Sequence, residues 1–340
     1  MTQATSTTSL LEAARLVSGL TQAELAVRSG VAQGVISKFE SGRLPADARM
    51  GLLASALNVP TGLIDGSAAN APHVRVFHRK QASLPAKTAN KLRADMELAH
   101  VRVGQLLGTE LTGHQGVPRL PLESRLEVPS DKARAVRKLW GIRSGPLPNI
   151  VDLLESRGVP CLMWGVAAAR VDAIASRPDN ARPLVMLGSH APGDRLRFTV
   201  AHELGHAVMH ELPSPECERE ADEFASEFLM PRADIKDALR GATLPRLAEL
   251  KSVWGTSIAA LARRARDVGA ITDSAYRSLN IELSMSGSRK SEPVYIRPEQ
   301  PSLVRDAILR RQANGQSLTD IAADAMISVE ELQRQYLEVE

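Results

Sequence analysis

Apolar residues at Leu10, Leu11, Ala14, Leu16 and Val17 recur at helical spacing and stop at Gly19, which predicts a short amphipathic helix. Thr21 followed by Glu24 has the spacing of a capping box, so a second helix is expected over TQAELAVRSG. It would bury Leu25 and Ala26 and end at Gly30. A third helix is expected in QGVISKFESG, and a fourth from Pro45 to Leu57 with Met50, Leu53, Ala54 and Leu57 on one stripe. The cluster NVPTG at 58–62 breaks that run.

Further along, 67–90 reads as a linker with one strand over Val74–His78. Helices are expected over 91–107, over 127–142 with Ser130 as cap, and after Pro148 near a first helical position. Strand-like runs follow at 159–164 and 184–187. A long helix begins near Asp194, another spans 216–229 before Met230-Pro231, and helical pattern continues through 245–283. SGSRKSEP at 286–293 is a break before a last helical pair. The expected class is mostly α with a small β-sheet.

At 340 residues the chain is long enough for two or three domains. With 44% hydrophobic and 24% charged residues it has the composition of a globular protein. No apolar run approaches the about 20 residues of a membrane span. The N-terminal residues lack the basic-then-apolar order of a secretory signal. Cys161 and Cys217 have no metal or redox spacing. A cytoplasmic protein is therefore expected. Aromatics at 3% leave few stacking platforms for single-stranded nucleic acid. The net charge of +3 is unevenly divided. Residues 1–66 balance five Lys/Arg against five Asp/Glu, and 67–145 carry 14 against six. That leaves −5 for the remainder, so the basic segment lies beside the N-terminal one. It is either a solvated helical face or a surface for a polyanion.

The run RFTVAHELGHAVMH contains His202-Glu203-Leu204-Gly205-His206. His202 and His206 are four apart and share one helix face, a geometry suited to two corners of a Zn²⁺ tetrahedron. Glu203 would then stand beside the metal, able to take a proton from water held there. The plain alternative is two helix histidines satisfied by neighbours. Downstream, Ala221, Phe224, Ala225, Phe228 and Leu229 mark a buried stripe. Glu218 and Asp222 flank it, where a carboxylate without compensation is costly. Glu218 is therefore the candidate third ligand, and Asp222 the candidate for orienting a ligating histidine. Glu220, Glu223 and Glu227 are expected to face solvent. His210, one further helical turn on, adds a spare imidazole that could approach the site, but a capping or surface role is the expected one.

With these residues in place, TVAHELGHAVMH and the following ERE-AD-EFASEFLMP resemble the ImmA/IrrE family of metallopeptidases, which is similar to gluzincins. The resemblance implies Glu218 as the third ligand with Asp222 four residues later, an α+β zincin-like domain over 146–290, and a protein substrate. RLVSGLTQAELAVRSGVAQGVISKFESGRLPADARMGLLASALNVP resembles the Xre/Cro-type helix-turn-helix, implying an all-α domain over 1–66 that binds double-stranded DNA as a dimer. In such folds the second helix of the pair enters the major groove. Gln33, Gly34 and Ser37 would then face bases or phosphates, with Gln33 able to pair with adenine. Lys38 and Gln22 would contact phosphate, and Arg28 and Arg43 are further backbone candidates. Arg75, Arg79, Lys80 and Lys87 in the basic segment would add phosphate contacts. A helical domain without DNA binding is the alternative.

The expected organisation is thus 1–66 for DNA, a basic linker and helical region over 67–145, the metallopeptidase, and a C-terminal helical element over 291–340. Together these point to a DNA-binding regulator fused to a zinc-dependent endopeptidase, with another divalent metal as an alternative to zinc. The resemblance implies cleavage of a repressor or other regulator in a bacterial stress or mobile-element response. The rivals are a regulator whose metal domain senses without turnover, and one half of a toxin–antitoxin pair.

Overall fold

A computed structural model describes residues 9–66, 76–77, 85–108, 116–124, 126–164, 171–178, 182–211, 214–286 and 292–338. The first segment folds as α1 (Leu10–Val17), α2 (Gln22–Ser29), α3 (Gln33–Glu40), α4 (Arg49–Leu57) and α5 (Thr61–Ile64). The Thr21 hydroxyl accepts from the Glu24 N–H and the Glu24 carboxylate accepts from the Thr21 N–H, so α2 starts with the expected box. Gly30 ends α2 at φ 73°, in the left-handed region open to glycine. That turn swings α3 across α2. Leu11, Leu25, Ile36, Leu53 and Leu63 close the centre of this bundle.

A two-residue strand β1 (Val76–Phe77) precedes α6 (Ala86–Leu107). At about 1.5 Å per residue, α6 spans about 33 Å. It is apolar on two faces. Ala94, Leu98 and Val101 complete the N-terminal bundle, whereas Leu92, Met96, Ala99, Val103 and Leu106 belong to a separate core.

Next come α7 (Pro129–Leu139), α8 (Ile150–Ser156), β2 (Cys161–Trp164), β3 (Ala173–Ser176) and β4 (Leu184–Gly188). Ser130 does not cap α7: Val128 is the cap residue, with Pro129 opening the helix. Nor does Pro148 begin α8; Asn149 caps it through a side-chain bond from the Asp152 N–H. The sheet runs β1-β3-β4-β2, with β2 and β4 parallel and the other pairs antiparallel. Strand β3 was not expected from the sequence. Alternation separates the faces: Cys161, Ala175, Val185 and Leu187 point into one core, and Leu162, Trp164, Ile174 and Met186 into the other.

Helices α9 (Gly193–Met209), α10 (Cys217–Leu229), α11 (Arg232–Ile235), α12 (Leu244–Trp254), α13 (Ile258–Asp267) and α14 (Asp273–Met285) build the first core. Helices α15 (Leu303–Ala313), α16 (Leu318–Asp324) and α17 (Val329–Leu332), with a π-turn over Gln333–Leu337, cover the second face beside α6. Buried carboxylates fasten that C-terminal part. Glu299 accepts from the Ile150 and Val151 N–H groups at the start of α8 and pairs with Arg197. Glu155 accepts from the Ser302 and Leu303 N–H groups at the start of α15. Each places negative charge at a helix N-terminus, where exposed N–H groups favour it. No described helix is long and apolar enough to cross a membrane.

Candidate metal centre and nucleic-acid face

Helix α9 carries His202, Glu203 and His206, and α10 packs along it. Gly205 permits the approach: a Cβ there would lie 3.1 Å from the Phe224 ring, tighter than ordinary packing. Phe224 stacks on Phe228 at 5.6 Å, and Phe228 meets Trp140 edge-on. Arg137 and Arg264 donate to the Phe228 and Met230 carbonyls at the end of α10, a favourable place for cations. These contacts hold Glu218 and Asp222 over the two histidines.

The Nε2 atoms of His202 and His206 are 3.0 Å apart. Glu218 brings Oε2 within 3.4 Å of the first and Oε1 within 3.5 Å of the second. His202 Nδ1 lies 2.9 Å from Asp222 Oδ1. An ionised Asp222 accepts only, so Nδ1 donates and Nε2 turns towards Glu218. His206 Nδ1 meets His210 Nδ1 at 2.9 Å, and His210 Nε2 meets Glu220 Oε2 at 3.2 Å. With Glu220 ionised, each ring of that chain donates towards the carboxylate, and His206 Nε2 is left with its lone pair. Two ring lone pairs at this separation require a proton or a cation between them.

The separations of 3.0–3.5 Å resemble the edge of about 3.3 Å that tetrahedral Zn–N bonds of about 2.0 Å imply. Burial opposes charge on His202, but its bonds to Asp222 and Glu218 and the charge of Glu203 prevail and raise its pKa to about 9. The site thus favours positive charge. His202, His206 and Glu218 fit a divalent cation as two nitrogen donors and one oxygen donor.

Glu203 is 1% exposed, and its Oε2 accepts from the Ala175 N–H of β3 at 3.2 Å. This partner was missed with the strand itself. His210 is the C-cap residue of α9, as expected, its N–H donating to the His206 carbonyl at 3.0 Å, and its ring also meets that of His206. Two other expectations are corrected. Glu220 faces His210 rather than solvent. Glu227 is buried between Arg264 and Arg134. The signal for His210 was present as a second i+4 step after His206.

In the N-terminal bundle, Gln33, Gly34, Ser37 and Lys38 all lie exposed on α3, and Arg28 and Arg43 are exposed beside it. Gln22 is turned inward instead: its amide donates to Glu40 at 2.8 Å, and Glu40 also pairs with Arg15. Lys87 is exposed at the start of α6, near Glu24. Arg75, Arg79 and Lys80 lie outside the described residues.

Residues 11–64 match the family model described as a helix-turn-helix. Residues 167–266 match the peptidase M78 model, described as an IrrE N-terminal-like domain. No curated protein matches the chain.

Proposed function

From a chain that joins a helix-turn-helix domain to an IrrE N-terminal-like domain of the M78 peptidase family, we propose a DNA-binding regulator that is also a metal-dependent endopeptidase. The observation that carries the reading is the convergence of His202, His206 and Glu218 donor atoms, with Glu203 adjacent on the same helix. These three would hold the metal, and zinc suits the donor set best. When bound, the metal supplies a Lewis acid that polarises a peptide carbonyl and lowers the pKa of water. Glu203 accepts the proton of the attacking water and returns it to the leaving amine. Asp222 holds His202 in the tautomer whose Nε2 faces the site, and His210 with Glu220 does the same for His206.

The substrate is a regulatory protein, in keeping with the attached DNA-binding domain. Duplex DNA is bound by a dimer in the cytoplasm through Gln33, Gly34, Ser37 and Lys38, with Arg28 and Arg43 on the backbone. Gln22 joins them by exchanging Glu40 for a phosphate. The domains of the reading remain 1–66 and 146–290. One observation favours the sensor rival: Glu203 is closed in under β3, so turnover requires that cover to shift.

The test compares wild type, Glu203→Gln and His202→Ala. Elemental analysis should give about one metal per chain for the first two and loss for the third. Mapping of new protein N-termini in cells should find cleavages that Glu203→Gln reduces about 10²–10⁴-fold in rate. Equal cleavage by Glu203→Gln, or cleavage by neither protein, would leave the metal without a hydrolytic role.

A further inference from the structure

On the sheet face opposite α9, a cavity of about 640 Å³ lies where three parts of the chain meet. Its wall includes Val17 at the end of α1, Leu98 and Arg102 of α6, Trp164 of β2, Val304 of α15 and Tyr336 of the π-turn. The volume falls within the about 300–1,000 Å³ of small-molecule sites. It is far more than one water needs.

Five of its polar side chains each keep an atom that is not satisfied within the protein. Among the described residues, Asp95 Oδ2, Gln300 Oε1, Gln335 Oε1, Arg102 Nε and the Tyr336 hydroxyl have no hydrogen-bond partner. All five residues line the cavity. Tyr336 is only 5% exposed and Arg102 6%. Leaving a buried polar group in this way is unfavourable, so five together call for an occupant. Three of the atoms are acceptors, from Asp95, Gln300 and Gln335; two are donors, from Arg102 and Tyr336. Formal charges in the wall balance, with Arg102, Arg305 and Arg334 against Asp95, Glu331 and Glu338. Arg102 spends one arm on Glu331 at 3.1 Å. Burial raises the Asp95 pKa to about 6 against Lys91, Arg102 and a hydrogen bond from Trp164. Leu162, Trp164, Met186 and Val304 supply the apolar remainder.

We propose that this cavity binds a small zwitterion of the amino-acid class. Its ammonium group is taken by Asp95 with the Gln300 and Gln335 carbonyls, its carboxylate by Arg102 and the Tyr336 hydroxyl, and its apolar side chain lies against Trp164 and Met186. A bare cation or a bare anion would leave one of the two polar sets unmatched. The proposal does not depend on the peptidase reading, because no residue of the metal centre lines the cavity.

The experiment is calorimetric titration of the full chain with the twenty common L-amino acids as probes, after a thermal-shift screen. At least one is expected to bind saturably, one per chain, with Kd below about 1 mM. Its N-acetyl derivative and its decarboxylated amine should each bind at least about tenfold more weakly, equivalent to one lost charged contact. Asp95→Asn and Gln335→Leu should weaken binding similarly while the folded circular-dichroism spectrum is kept. No binding by any of the twenty up to about 10 mM, which would mean a cavity holding water only, would overturn the assignment. So would binding that neither substitution changes.

Discussion

Asp95 and His100 lie five residues apart on α6, and burial moves their pKa values in opposite senses. His100, beside the Ser176 hydroxyl at 2.6 Å, is lowered from 6.5 to about 4 by burial. Asp95 is raised from 3.8 to about 6, again by burial first, with Lys91, Arg102 and a bond from Trp164 opposing. Between about pH 4 and 6.5 the unfolded chain holds a proton on His100 that the folded chain lacks, so stability rises with pH. Between about pH 4 and 6 the folded chain holds a proton on Asp95 that the unfolded chain has lost, so stability falls. The two effects offset each other in the wild type. Asp95→Asn should expose the His100 contribution, with stability rising by about 3 kcal/mol from pH 4 to 6.5, and His100→Gln should show the reverse fall. Urea midpoints at the two ends of the window check this. Parallel slopes in the two variants would exclude the pairing.

At the scale of elements, the site depends on how closely α9 and α10 approach. Gly205→Val should press on Phe224 and cost about 1–3 kcal/mol. Because Glu218 and Asp222 ride on α10, metal retention should fall as well. Thermal midpoints and metal content measure the two, and a variant unchanged in both would show that the approach is not needed. The helical spacing of α10 was legible, but a single stripe was read as its whole buried surface. In the fold α7 and α9 both pack against it, and Arg264 reaches it from α13. Outward positions by periodicity, such as Glu227, therefore became interior. The same holds for α6. Its basic composition marked it as part of a linker region, yet it is buried on two sides. Strand β3 was missed because four residues, Ala-Ile-Ala-Ser, are too short for alternation to stand out.

Across the whole molecule, α6 joins the helix-turn-helix bundle to the second face of the sheet, and the part of the chain from Glu292 on is pinned to the first core by buried carboxylates. Arg197 is 5% exposed and depends on Glu299. Glu299→Ala should leave that guanidinium buried without its partner and cost about 3–5 kcal/mol, read as a drop in the denaturation midpoint of the full chain. An unchanged midpoint would mean that the C-terminal part is not held there. For DNA, Lys38→Ala should weaken all duplexes alike and reduce the salt slope by about 0.9. Gln33→Ala should instead cost about 1–3 kcal/mol on the preferred site alone. Titrations at two salt concentrations separate the cases, and identical behaviour of both variants would remove Gln33 from base reading.

The features legible from residue order alone were those carried within one helix or one turn. The i, i+4 pair His202 and His206, the adjacent Glu203, the Glu218 and Asp222 spacing and the Thr21–Glu24 box all follow from the 3.6-residue period and from backbone groups a few residues away. Packing decided the rest. His210 turned towards His206 because Glu220 arrives from another helix, and Glu203 found the N–H of a strand that no local pattern announced. Arg197 and Glu299 met across 102 residues of chain. The polar cavity exists only because α1, α6, β2 and the C-terminal helices meet at one place. Contacts of that range depend on which apolar faces are covered together, and no spacing along the chain encodes the choice.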